Sequence, residues 1–320
     1  GIRAGDRVAT FAWNHHQHLE MYFGIPGAGA VCHTLNVRLF PGQLSYIVNH
    51  AEDRVVFVDA TVLPLLERVA GEITCVEHYV LVNAAHDTET TLPNVLRYEE
   101  LLAEAAWDQD SFEWRSTDER MAMGLCYTSG TTGRSKGVRL SDRMTMRLAW
   151  SIVDHAGLTR DDVLFTVFPL HHIAARFVSV VAAMLIEGEV VIQEKFSASR
   201  FWDTCSDHGV TAIHYLGTLP MMLWKQEPIS GQEQNSVRVA YGAGMPEEIQ
   251  EDFGQRFGLE IFELYGSTEQ GVVARSRRGS SKTGTCGRPV ADVELQIHDQ
   301  CDPRPAHNEG RLTARESNSD

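Results

Sequence analysis

Short apolar runs of strand character alternate with stretches of helical character along most of the chain, and this alternation restricts the fold more than any other feature. The runs are Val8 to Ala12, Val31 to Leu35, Val55 to Val58 and His78 to Val82, with helices expected from about His15 to Ala28, over Pro41 to His50 and around Val62 to Ala70. Strands spaced by helices pair in parallel through crossover connections, so the pattern predicts an α/β fold. It resumes with Val163 to Phe168, a helix over Ala174 to Glu187, Glu189 to Gln193, a helix after Ser197, Ala212 to Leu216 and Ser236 to Tyr241. Two α/β lobes are expected, over 1–155 and 156–290. From Gly284 the chain turns Gly/Pro-rich with one alternating strand expected at Val293 to Ile297, and residues 291–320 form a third, partial segment ending in a polar tail.

Composition bounds the partners. Of 320 residues 43% are hydrophobic, enough for sizeable cores, and 28 basic against 43 acidic side chains give a net charge of -15. Such a charge repels nucleic-acid backbones and anionic lipid, so neither is an expected partner. Any polyanionic ligand must be held by local amides, a cation or a metal ion. The six cysteines, Cys32, Cys75, Cys126, Cys205, Cys286 and Cys301, show neither a C-x-x-C pair nor framework spacing, which fits a reducing, cytoplasmic compartment. No apolar run reaches the roughly 18 residues of a membrane span. The first residues lack a signal-peptide pattern and read like the interior of a domain, with the natural N-terminus expected upstream.

The segment richest in chemistry is YTSGTTGRSKGV, Tyr127 to Val138, after an apolar strand from Met121 to Tyr127 and ahead of a helix expected at about Ser141. Thr128, Ser129, Gly130, Thr131, Thr132 and Gly133 offer amides and hydroxyls that can wrap phosphate oxygens, and Lys136 adds a cation. Ser135 stands where an ordinary P-loop requires its second glycine, so this is a phosphate cradle of another kind. His15, His16 and His18 invite a metal reading, but their spacing splits them between helical faces and no carboxylate partner is in view; an exposed helix start is expected instead. Met221 and Met222 read as core filler.

The loop resembles the signature of the adenylate-forming superfamily of acyl-CoA synthetases, luciferases and peptide-synthetase adenylation domains. Further motifs follow in that family's order. Phe168–Ala175 is similar to its P-L-F-H-x-A segment, with His172 as the histidine lining the acyl pocket. Gly242-Ala243-Gly244-Met245-Pro246 resembles the turn flanking adenine and the acyl carbonyl. Glu263–Glu269 matches Y-G-x-T-E, and Gly287-Arg288-Pro289 and Gly310–Arg315 resemble two later motifs.

The resemblance implies two α/β lobes of that family's large domain, a partial β-barrel segment at the C-terminal end, and absence of the small C-terminal domain. It implies an AMP-forming carboxylate–CoA ligase that makes an acyl-adenylate from ATP and then a CoA thioester. Thr128, Lys136, His172 and Glu269 are the implied catalytic residues. Glu269 and Thr132 would hold Mg²⁺, Tyr265 would stack on adenine, and Gly266, Ser267 and Thr268 would line the nucleotide, Thr268 donating to the α-phosphate. Enlarging Gly242 is expected to block the acyl tunnel, which in similar ligases is also bordered by the strand end before Met221 and Met222. Parts of the chain are similar to medium- and long-chain fatty acyl ligases, parts to carnitine/crotonobetaine-type ligases. A peptide-synthetase adenylation domain and a nucleotide-binding module without turnover stay open, as does a homodimer. Ser141-Asp142-Arg143 departs from the family's usual Ser-His at the helix start. The family's ribose-binding aspartate, hinge and distant lysine would fall beyond Asp320.

Overall fold

The computed structural model describes residues 1–105, 118–128, 134–228, 235–277, 282–291, 293–296, 298–299 and 302–305. The chain divides into two compact units. One comprises Gly1–Met146, Val167–Arg176 and Ile192–Lys195; the other comprises Arg147–Thr166, Phe177–Val191 and Phe196–Asp320.

The first unit is built on strands β1 (Arg7–Phe11), β2 (Val31–Thr34), β3 (Asp53–Asp59), β4 (His78–Val82), β5 (Val95–Arg97), β6 (Ala122–Thr128) and β7 (Lys136–Ser141). They form one sheet in the order β5-β4-β3-β1-β2-β6-β7, parallel throughout except that β7 returns antiparallel to β6. The helices are α1 (His16–Gly27), α2 (Pro41–Ala51), α3 (Leu63–Glu67) and α4 (Tyr98–Glu104), and the chain leaves this unit within α5 (Asp142–Ala156). Ala9, Phe11, Val56 and Val58 from the strands meet Leu44, Ile47, Val48, Leu63 and Leu66 from α2 and α3 in a closed core. Strands this apolar on both faces are what covered parallel sheets require.

The second unit contains β8 (Val163–Thr166), β9 (Glu189–Ile192), β10 (Ala212–Leu216), β11 (Val239–Ala243), β12 (Glu260–Ser267), β13 (Gly271–Arg275) and β14 (Arg288–Pro289), ordered β14-β13-β12-β11-β10-β8-β9. β8, β10, β11 and β12 run parallel, and β13 and β14 add an antiparallel margin. Its helices include a π-helix over Ala174–Val181, begun in the first unit, then α6 (Ala182–Leu185), α7 (Phe201–Asp207), α8 (Leu219–Trp224) and α9 (Gln250–Phe257). Aromatic packing closes the core: Trp202 stacks on Phe257 at 4.4 Å, and Phe253 and Phe165 pack against Phe257 and Phe201. A two-stranded ribbon, β15 (His298–Asp299) with β16 (Asp302–Pro305), follows.

The helix expected at about Ser141 is present as α5, and three local features differ from the sequence reading. Lys136–Ser141 forms β7 ahead of that helix, because Val138 and Leu140, two apart, pair with Cys126 and Gly124. No strand covers residues 293–296, and among the described residues the ribbon starts at His298. β5 and α4 were hidden behind the polar stretch ahead of them, since three residues are too short for a period to show.

Candidate functional site

In open α/β sheets ligands collect at the carboxyl ends of the strands, where the strand order reverses. In the first unit the order β2-β1-β3-β4 puts the reversal between β1 and β3. The chain's own segment 167–176 covers the neighbouring ends of β1, β2 and β6. Asn14, just past β1, donates its amide to the carbonyls of Phe168 and Gln193, both at 2.9 Å, and accepts from Leu170 N–H at 2.7 Å. Thr34, ending β2, donates to the His171 carbonyl at 2.9 Å, and the Cys126 thiol of β6 faces the same oxygen. His172 is thereby fixed beside the strand ends that lead into the Gly/Thr/Ser loop. Ala174 N–H donates to its Nδ1 at 3.1 Å, which leaves the ring proton on Nε2. Its side chain is exposed, yet the surrounding protein lowers its pKa. His171 is buried and pushed down to about 3 by that burial.

Thr128 ends β6 directly opposite Lys136, the first residue of β7, so these two flank the mouth of a hairpin whose tip is the loop. Ser129, Gly130, Thr131, Thr132 and Gly133 lie outside the described residues.

In the second unit the parallel register sets Tyr215, Gly242 and Glu263 side by side on β10, β11 and β12. A Cβ at Gly242 would come within 1.9 Å of the Tyr215 carbonyl oxygen, so only glycine fits there. With no side chain between them, the Tyr215 hydroxyl donates to Glu263 Oε1 at 2.6 Å. The same carboxylate accepts from the Met245 amide at 2.8 Å and from the Gly244 amide at 3.2 Å, which bends the chain after Ala243 into a turn in which Gly244 has φ +84. Burial raises the Glu263 pKa, against the opposing pull of these donors, and burial beside that carboxylate holds the Tyr215 phenol well above its usual range. In the sequence Glu263 stands only at the start of the Glu263–Glu269 motif. Its one signal there is a lone acid following apolar Ile261 and Phe262 in a strand.

β12 then leaves the core. Tyr265, Gly266 and Ser267 are the last residues of β12, and Thr268 and Glu269 begin the turn to β13; Tyr265 is 57% exposed, Gly266 and Glu269 are exposed, and Ser267 and Thr268 half-buried. The Ser267 hydroxyl accepts from Gln270 N–H at 3.3 Å and tightens that turn. Adjacent strand ends therefore carry Gly242–Gly244 and Tyr265–Glu269 together. An exposed carboxylate oxygen next to hydroxyls is a donor set that suits Mg²⁺.

The chain matches the AMP-binding enzyme family over residues 1–319. It belongs to that family of adenylate-forming enzymes. It is 35% identical over 316 residues to a 3-methylmercaptopropionyl-CoA ligase of Ruegeria lacuscaerulensis, covering 93% of this chain and 58% of that protein. It is 33% identical to a long-chain-fatty-acid–CoA ligase of Thermus thermophilus, covering 97% and 58%. The chain thus spans less than two thirds of the length of these curated relatives. The crystal structure of the anthranilate CoA ligase AuaEII with anthranoyl-AMP superposes with a TM-score of 0.84 at 21% identity, over 96% of this chain and 58% of that one, which is likeness of fold. The fold of the AMP-binding large domain is therefore the fold of this chain.

Two expectations about particular residues are corrected. The start of α1 is not an exposed histidine cluster: His18 is fully buried, held by Thr10 at 3.0 Å and the Trp13 carbonyl at 2.9 Å, and its pKa falls to about 3 through burial. His15 has a carboxylate partner after all, Asp59 at 3.1 Å, brought across from β3 by the sheet. A larger residue at Gly242 would first meet the Tyr215 backbone on β10. Met222 on α8 is 46% exposed and is not core filler. Among the described residues no group of three or more His, Cys, Asp or Glu could hold a metal ion, and no helix is long and apolar enough to cross a membrane.

Proposed function

We propose that the chain is the nucleotide-activating part of an AMP-forming carboxylate–CoA ligase of the cytoplasm. It would bind ATP and a carboxylic acid, join them as an acyl-adenylate with loss of pyrophosphate, and serve thioester formation with CoA. The observation that carries this reading is the pairing, on neighbouring strands, of a rigid glycine turn tied down by Glu263 with the exposed end of β12 and its following turn, Tyr265–Glu269. The rigid turn presents unencumbered backbone, and the exposed turn presents an aromatic face, hydroxyls and a carboxylate. The relatives' names, an acyl thioester ligase in each case, agree with it.

In this reading Tyr265 stacks on adenine beside Gly242, Ala243 and Gly244, while Gly266, Ser267 and Thr268 line the α-phosphate. Glu269, with Thr132, would hold Mg²⁺, which when bound neutralises charge on the departing pyrophosphate. Thr128, Lys136 and the loop from Ser129 to Gly133 would take the outer phosphates, Lys136 as a point charge. His172, neutral with its proton on Nε2, can donate to an acyl oxygen without adding charge to the carboxylate's surroundings. The acid is assigned to the fatty or thioether-acyl class of the relatives. The Gly310–Arg315 motif of the expected partial β-barrel segment lies outside the described residues.

The test has two arms on one folded sample. Calorimetry with MgATP and AMP reads binding, and pyrophosphate exchange with short thioether, medium-chain and long-chain acids reads activation. Binding with exchange for one acid class is expected of the ligase. Binding without exchange for any acid would leave a nucleotide-binding module, and no binding at all would sink the assignment.

A further inference from the structure

The helix α2 begins at Pro41, with the Gln43 side chain accepting from Phe40 N–H at 3.2 Å, and ends on Glu52 in the left-handed region at φ 56. Leu44, Ile47 and Val48 enter the core. Tyr46 and His50 lie one turn apart at the margin of that core. Tyr46 is half-buried and packs against it, and His50 is exposed. His50 Nδ1 lies 2.6 Å from the Tyr127 hydroxyl, at the start of the Tyr127–Val138 segment. The guanidinium of Arg134, past the loop tip, sits over the Tyr46 ring at 4.9 Å. The two α2 rings are themselves 5.3 Å apart.

Tyr127 is backed from below as well. Its ring lies 5.1 Å from that of His33, which Asp53 fixes through a 2.7 Å bond in a fully buried pair. Tyr127 is therefore held by β2 at its ring and by α2 at its hydroxyl, and Arg134 meets α2 at the Tyr46 ring.

We propose that Tyr46 and His50 are positioning residues for the nucleotide phosphates. Through Arg134 and Tyr127 one helix fixes both described ends of the phosphate loop, and so sets where Thr128 and Lys136 stand. The inference rests on the reading that this loop binds the phosphates of ATP. Neither residue touches the nucleotide in this scheme; each acts through a residue of the loop. Contacts at both ends from adjacent turns of one helix are more than packing requires, since β6 and β7 already pair across the hairpin.

The test is the affinity for MgATP and for AMP, with the thermal midpoint of each variant. Tyr46→Leu removes the ring beneath Arg134 and should weaken MgATP about threefold, the size of an exposed cation–π contact. His50→Ala should weaken it about fivefold, the size of one hydrogen bond. AMP, with fewer phosphates to reach the loop, should lose less in both, and thermal midpoints should hold. Tyr46→Phe, which keeps the ring face, should restore wild-type affinity, and His50→Gln, which keeps an acceptor, should restore part of it. Equal losses for ATP and AMP accompanied by a falling midpoint would mean a structural role only and overturn the proposal. Unchanged MgATP affinity in both Tyr46→Leu and His50→Ala, with wild type binding normally, overturns it while sparing the site reading. Wild type that binds no MgATP overturns both.

Discussion

Two neighbouring turns of the second unit put the same kinds of residue to opposite use. At Gly242–Met245 the carboxylate of Glu263 is buried and fully occupied by a phenol and two backbone amides. At Tyr265–Glu269, farther along the same strand, the tyrosine ring and the acid Glu269 stand in solvent. The acid in the first turn shapes backbone; the acid in the second is accessible to a ligand. The difference teaches that a carboxylate in a nucleotide-family motif is not thereby a metal ligand. Its burial and its donors decide, because a carboxylate accepting several short hydrogen bonds in the interior has little left to offer a cation.

The comparison can be broken or sharpened by four substitutions. Gly242→Ala drives a methyl into the Tyr215 carbonyl in the middle of a parallel sheet, and should cost upward of about 3 kcal/mol in urea denaturation. A well-folded Gly242→Ala protein would mean that the strands are not as close as described. Gly266→Ala meets the Gly271 carbonyl at 2.1 Å, yet at a strand end next to an exposed turn, where the hairpin can splay. A smaller loss, about 2 kcal/mol, is expected. If it equals the loss at Gly242, the exposed turn is as rigid as the buried one and the contrast fails.

Glu263→Gln comes next. An amide has one acceptor oxygen, so one of the three donors that now point at the carboxylate would face an NH₂ group, at a cost of about 1–2 kcal/mol. Its pH dependence has a definite sign. Because burial raises the folded-state pKa above the ordinary value of 4.5, the folded protein holds this proton more tightly than the unfolded chain. The group's contribution is full below 4.5 and is lost as pH rises through the raised value. Urea midpoints of wild type and Glu263→Gln measured from pH 4 to 8 should differ in slope over that window, the variant being flatter. Parallel curves would show that Glu263 has no raised pKa.

The smallest effect on stability belongs to Glu269→Gln, an exchange at an exposed position that should leave the urea midpoint unmoved. Magnesium-dependent ATP binding should nonetheless weaken by about tenfold, through loss of the charge that holds the ion. An affinity equal to wild type would remove Glu269 as a metal ligand.

The sequence by itself determined the α/β class, because strand and helix periods are local and each element announces its own. It also determined where the chemistry-bearing segments lie: the hydroxyl-rich loop, His172 and the Tyr265–Glu269 motif are all readable as residue types in order. It could not foresee β7, since an alternating run of six residues shows itself as a strand only once β6 supplies the partner. Nor could it foresee a buried His18, a carboxylate partner for His15, or the role of Glu263. Each of those depends on residues far apart in the chain, and their burial and charge state exist only after parallel pairing has set the register. Tyr215, Gly242 and Glu263 are unremarkable one at a time. Side by side on three strands, with glycine leaving the gap, they make the one arrangement in which a phenol reaches across a strand to an acid that bends the turn beyond it.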